Sequence, residues 1–222
     1  MLTGFRAALG APAIAMAATF VGFGAGVSAA GLPLYWALGA SLLIYGMPGQ
    51  LILLNAVAGG APVWGAVPSA IVANARFLPM TVALAPWLGQ GPGRWLAPPL
   101  ISVTTWAAAM LRLPLLPPTQ RLGWFLAFAS TCLGLGAAST MLGFWLAPFL
   151  PGWLLVLLLF TNPLYFALLL AAASRAPPAR RAVLAGLLAS PLALWLPASW
   201  GLLVAGLLGG SLAFWWGTRA SR

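Results

Sequence analysis

The sequence predicts an all-α, polytopic integral membrane protein. Three observations carry that reading. Hydrophobic residues make up 63% of the 222-residue chain and charged residues only 5%, against about 25% charged in a water-soluble domain. Mean hydropathy is +1.03, and apolar stretches of roughly the 20 residues needed to cross a bilayer recur from end to end. A chain so poor in charge cannot keep a solvated surface free of large apolar patches, so lipid is the solvent that its composition fits.

Reading Gly, Pro and Arg clusters as punctuation divides the chain into eight expected helices, with seven as the alternative count. The first, residues 5–30, holds an apolar run longer than a secretory signal and is followed at once by more, so it is expected to stay uncleaved. It stops at Gly31-Leu32-Pro33. The second, 34–58, ends at the cluster 59–62, and the third, 64–87, at 89–93. The fourth, 96–111, ends at 114–118, and the fifth, 123–147, at 148–152. The sixth, 153–174, ends at Pro177-Pro178, the seventh, 181–196, at Pro197, and the eighth covers 200–217. Little chain remains for a soluble domain, so residues 1–222 read as one transmembrane domain. Pro33, Pro48 and Pro62 recur 115 residues later as Pro148, Pro163 and Pro177. That offset points to repeat halves 1–115 and 116–222 with the same membrane orientation.

With the N-terminus in the cytoplasm, eight of the ten arginines fall on that side: Arg6, Arg112, Arg121, Arg175, Arg180, Arg181, Arg219 and Arg222. Arg94 alone lies in an outer loop, and Arg76 lies within a span. This bias is what the positive-inside rule predicts for an inner-membrane protein with both termini cytoplasmic. Trp87 and Trp95, Trp145 and Trp153, and Trp195 and Trp200 flank the expected outer loops, as interfacial anchors do.

The chain contains no Asp, Glu, His or Lys. No carboxylate pair, Ser-His-Asp triad or Schiff-base lysine can form, so the common enzyme classes are excluded. Neither metal nor cofactor is expected, since the lone Cys132 cannot make a metal site by itself. Nucleic acid is not expected either, because the arginines sit between apolar spans and do not form a patch.

Two expected helices carry interruptions. The second contains Tyr45-Gly46-Met47-Pro48-Gly49-Gln50 near its midpoint, where proline removes a hydrogen bond and glycine weakens the turn. The sixth contains Thr161-Asn162-Pro163 at a comparable depth. Backbone groups freed at such breaks must meet neighbouring protein or a water-filled cavity, and paired interruptions in the two halves point to a transporter's binding site. The alternative is an ordinary kink, since membrane helices carry Pro and Gly often.

The third span carries Asn74-Ala75-Arg76-Phe77-Leu78-Pro79. A guanidinium held deep in a membrane needs a partner, and this chain has no acid to offer. Helix-end carbonyls, an anionic substrate or an acidic residue of another subunit remain, unless Arg76 snorkels to the nearer interface. In the fourth span Ser102, Thr104 and Thr105 form a polar step whose hydroxyls most often bond back to their own helix.

Over these residues the chain resembles the AzlC-type permeases, bacterial membrane proteins associated with export of branched-chain amino acids. Gly4-Phe5-Arg6-Ala7-Ala8-Leu9 looks like that family's start. Gly46-Met47-Pro48-Gly49-Gln50 sits where the family has a small-residue-plus-Gln segment. Asn74-Ala75-Arg76-Phe77 followed by Leu84-Ala85-Pro86 looks like its Asn-x-Arg-His stretch ending in Leu-Ala-Pro. The resemblance is strongest over residues 4–88. It implies a small AzlD-type membrane subunit as partner. Two departures remove titratable groups: the family's His is Phe77 here, and its Asp-Glu pair falls at Val103-Thr104.

The expected function is therefore a transporter subunit exporting small hydrophobic, branched-chain amino acids. The substrate carboxylate would meet Arg76 or a broken-helix N-terminus. Its ammonium would meet freed carbonyls near Gly46, Met47, Pro48 and Gly49 and the side chains of Gln50, Asn74 or Asn162, with Thr104, Thr161 and Pro163 completing the candidate site. The alternative is a non-transporting scaffold or assembly partner that has lost the family's coupling residues. A lipid-modifying enzyme is disfavoured by the missing acids, His and Lys. Tyr, Cys and Arg titrate too high, when unperturbed, to carry a coupling proton, so coupling through this subunit lacks an obvious side chain.

Overall fold

The computed structural model describes residues 2–174, 177–196 and 198–220, all in helices, turns and short connections, with no strand among them. Arg175 and Arg222, used above for orientation, and Pro197, expected to end the seventh helix, lie outside the described residues.

The first expected span is divided. Helix α1 (Leu2–Ala8) stops before Gly10, and α2 (Ala11–Ala29) starts anew with Pro12 in its first turn. Proline has no N–H for an upstream carbonyl and clashes with the residue four back, so it suits a helix start and not an interior. The signal was present in the sequence as Gly10-Ala11-Pro12. Helix α2 ends where Gly31 takes a positive φ of 71°.

The second expected span is broken where its sequence indicated. Helix α3 (Leu34–Leu43) and helix α4 (Met47–Ala58) are separated by Ile44, Tyr45 and Gly46. Pro48 cannot donate to the Ile44 carbonyl, and its ring would collide with it. The chain leaves the helix through Tyr45 at φ 40° and an extended Gly46. A bulky residue in the left-handed region costs on the order of 1–3 kcal/mol.

The third span is also interrupted, which the sequence reading did not anticipate. Helix α5 (Val63–Asn74) and helix α6 (Phe77–Leu84) meet at Ala75 and Arg76 with a bend of 43°. Pro79 stands four residues after Ala75, so the Ala75 carbonyl loses its usual donor and accepts instead from Leu78 N–H at 3.0 Å. That tighter turn bends the helix without opening it fully.

The fourth expected helix, 96–111, is replaced by two 3₁₀ turns (Pro92–Leu96 and Pro98–Leu100) followed by α7 (Val103–Arg112). A capping box fixes the start: Thr105 N–H donates to Ser102 Oγ at 3.3 Å, and Ser102 N–H donates to Thr105 Oγ1 at 2.8 Å.

Helix α8 (Pro118–Leu146) is the longest and most central element. Phe125, Phe128, Ala129, Cys132, Gly136, Thr140 and Gly143 recur at helical spacing and are buried on one face. This face packs on α2, α1 and α3. A Cβ at Gly24 would strike the Thr140 carbonyl, and one at Gly143 would strike that of Val21. Small residues thus let the α2 and α8 backbones touch, as in membrane helix pairs. The Ser41 and Thr140 hydroxyls, 2.8 Å apart, join α3 to the same surface.

Helix α9 (Gly152–Ala173) lies against α2. The break expected at Thr161-Asn162-Pro163 is absent: the helix runs through Pro163. No glycine stands two residues before Pro163, as Gly46 stands before Pro48, so the backbone has no easy exit there. Thr161 Oγ1 donates to the Leu157 carbonyl of its own helix. Helix α10 (Pro177–Ala189) gives way to a 3₁₀ turn, Ser190–Trp195, where 181–196 was expected to be one helix. Helix α11 (Ala198–Ala220) packs on α10 and on α5.

Among the described residues one continuous run, Pro118–Phe149, is long and apolar enough to cross a membrane, and the bent pair Val63–Asn74 with Phe77–Trp87 adds a second if taken as one span. The remaining apolar chain is distributed over shorter or interrupted helices, in place of eight unbroken ones. Large apolar side chains, including Leu43, Val82, Leu111, Trp145 and Phe214, are exposed around them.

Candidate functional site

The breaks in three separate elements meet at one place. Tyr45, Gly46 and Met47 at the start of α4, Arg76 and Phe77 at the α5–α6 bend, and Ser102, Val103 and Thr104 at the start of α7 line a common cavity. Met16, Thr19 and Phe20 of α2 close its remaining side. The cavity measures ≈ 40 Å³, room for about three water molecules.

Its electrostatics follow from the backbone first. The opening N–H groups of a helix have no partner within the helix and form the positive end of its dipole. Helices α4 and α7 both present such ends here, although Pro48 contributes no N–H and Ser102 occupies one donor of α7. The bend at Arg76 adds the guanidinium itself, whose carbon lies 5.3 Å from the centre of the Phe77 ring. Arg76 Nε is buried without a hydrogen-bond partner. With no carboxylate side chain anywhere in the sequence, this positive site has no internal counter-charge.

Tyr45 adds an unpaired polar group. Only 3% exposed, it carries a hydroxyl without a partner at hydrogen-bonding geometry. Its ring packs on Phe20 with centroids 6.3 Å apart, which holds the strained backbone of the break in place. The neighbouring Thr19 hydroxyl is spent on the Ala15 carbonyl at 2.8 Å. Thr104, buried, presents its side chain at the α7 start.

Asn74 works behind this lining. A Cβ placed on Gly46 or on Gly49 would run into the Asn74 side chain, so the two glycines form a seat for its amide. The seat locks α5 against the first turn of α4, while Asn74 Oδ1 remains unpartnered. Gln50 is fully buried and donates through Nε2 to the Ala40 carbonyl at 3.0 Å, bridging the break between α3 and α4. Its Oε1 has no partner. Gly49, Gln50, Asn74 and Pro48 therefore shape the site from outside the cavity wall, whereas Gly46, Met47, Arg76 and Thr104 form that wall.

The sixth-span candidates are not brought there. Thr161 and Pro163 lie on α9 away from the cavity lining, and the side chain of Asn162 lies outside the described residues. The contributors that went unselected in the sequence are Tyr45, Phe77, Ser102, Val103 and the α2 face of Met16, Thr19 and Phe20. The spacing of Ser102 and Thr105 is a helix-start signal that was open to reading. The α2 contribution has no local signal.

A family model described as AzlC protein matches residues 12–150, more than half of the chain and the whole of the cavity lining. No curated protein and no solved structure shows significant similarity.

Proposed function

The chain belongs to the AzlC family, membrane proteins of amino-acid transport, and from that premise we propose that it is a subunit exporting branched-chain amino acids across the inner membrane. Eight spans with both termini cytoplasmic, and a small AzlD-type partner subunit, complete the proposal. The exposed Leu, Val, Phe and Trp side chains support a lipid-facing exterior.

One observation carries the reading: an acid-free, positively biased cavity at the meeting of α4, α6 and α7, with Arg76 in its wall. A carboxylate fits that electrostatic demand. It would accept from the Arg76 guanidinium and from the free N–H groups at the starts of α4 and α7. The Tyr45 hydroxyl, unpartnered, and the Ser102 and Thr104 oxygens offer acceptors for an ammonium group. The cavity is large enough for the carboxylate but not for a whole branched amino acid. Passage would therefore require the break regions to separate, and the bend and break at Arg76 and Tyr45 supply jointed elements for such movement.

The test is isotope efflux from leucine-loaded proteoliposomes carrying the protein and its partner subunit. Replacing Arg76 by alanine removes a charged hydrogen-bond donor worth about 1.5–3 kcal/mol, so apparent affinity should fall about 10- to 150-fold. Efflux from Arg76→Ala equal to that of the wild type would refute the carboxylate site.

A further inference from the structure

Arg76 borders a second space. A cleft of ≈ 700 Å³ lies between Pro79 and Met80 of α6, Trp106 of α7, and Gly206, Gly210 and Phe214 of α11, with Arg76 at its edge. Its walls are mostly apolar, with Ser211 and Arg76 as polar members, and its size falls within the usual range for small-molecule pockets. The Trp106 Nε1–H is buried and without an acceptor. The α11 wall lies beyond residue 150, outside the family match.

We propose that this cleft is the subsite for the substrate's hydrophobic side chain, and that Gly206 and Gly210 set the largest side chain accepted. The inference rests on the transport reading above. Two spaces share Arg76 in their walls, the cavity described above and this cleft, and the rest of a molecule whose carboxylate sits at the guanidinium has to occupy one of them or leave the protein. The first cavity, at ≈ 40 Å³, has no room for a branched side chain. The cleft on the other flank of Arg76 does, and an apolar group placed there leaves water while its carboxylate keeps the charge pairing.

The two glycines are one helical turn apart on α11, and a Cβ built on either meets no atom within 4 Å. Side chains added there fill the cleft without striking a packed neighbour. In a hydrophobic pocket a single methylene changes selectivity by about 10- to 200-fold, so small additions should register.

The experiment is ligand-induced thermal stabilisation of the purified protein, titrated with L-alanine, L-valine, L-leucine and L-phenylalanine. Wild type, Gly210→Ala, Gly210→Leu and the same-helix control Gly217→Leu are compared. The expected result is that Gly210→Leu weakens leucine and phenylalanine at least about tenfold relative to alanine. Gly210→Ala should fall between, and Gly217→Leu should match the wild type. An unchanged preference in Gly210→Leu, with binding intact in the wild type, overturns the subsite alone. An equal loss for all four amino acids in both Gly210 variants also overturns it. No stabilisation of the wild type by any of the four overturns the transport reading and the subsite together.

Discussion

Arg76 and Asn74 show how a single side chain acts here through the residues around it. The guanidinium stacks on the Phe77 ring but has no acidic side chain of its own chain to pair with, so a side-chain counter-charge comes only from outside. Its planar fork suits a carboxylate in a way that an ammonium does not. Arg76→Lys should therefore retain part of the binding, with leucine affinity lying between those of the wild type and Arg76→Ala in a titration of efflux rate against substrate. At Gly49 the issue is packing. Gly49→Ala drives a methyl group into the Asn74 amide, and overpacking of this kind costs typically about 1–3 kcal/mol. Thermal unfolding in detergent should show that loss, and Asn74→Ala in the same molecule should relieve most of it. Additive losses in the double variant would show that the two residues do not share a seat. Asn74 and Arg76 were legible as candidates because such polar side chains are rare in this apolar chain, and Gly46 and Gly49 because they flank Pro48 within an expected span. Tyr45 was not, because a tyrosine beside a break is unremarkable until its backbone is seen at φ 40°.

At the scale of helices, prolines within the expected spans lead to different outcomes. Pro48 separates α3 from α4, Pro79 bends α5 into α6, and Pro163 leaves α9 continuous. The same missing N–H is present each time; the difference lies in whether the preceding backbone has an exit. Gly46 provides one, a 3₁₀ turn at Ala75–Leu78 provides a partial one, and α9 has neither. Pro is about 3 kcal/mol less favourable than Ala within a helix. Pro163→Ala should accordingly stabilise the protein in thermal unfolding while leaving efflux intact. Pro48→Ala should remove the break and abolish efflux even if stability rises. Efflux retained in Pro48→Ala would show that the break is not needed. The capping box adds a second element-level expectation. Ser102→Ala should cost about 1 kcal/mol of stability, read as a lowered melting temperature.

For the whole molecule, the missing titratable groups and the arrangement in the membrane are the testable properties. With no Asp, Glu or His in the sequence, no side chain of ordinary pKa changes charge between about pH 5 and 8. Efflux through this chain reconstituted alone should be flat across that range, and a slope appearing only with the proposed partner subunit would locate the titrating group there. Orientation can be read by cysteine labelling, because Cys132 is fully buried. Gly91→Cys should react with an impermeant maleimide on intact cells, and Gln120→Cys only after permeabilisation. Equal labelling of both would remove the crossing assigned to the 3₁₀ turns and α7.

Composition by itself pointed to lipid as the solvent and determined the sign of any internal site, because these are sums over residues that do not depend on where the chain goes, while the recurrent apolar stretches set the all-helical class. The break at Pro48 was equally readable, since Pro and Gly act on the backbone within a few residues. Only the tertiary structure decided that this break, the bend at Arg76 and the capped start of α7 face one another across α2. Only it showed that the sixth-span motif does not join them, and that α11 supplies a wall beside the same arginine. Those meetings depend on helix packing over distant parts of the chain, above all the close contact of α2 and α8 at Gly24 and Gly143. No local pattern of residues encodes which helix ends such packing will bring together.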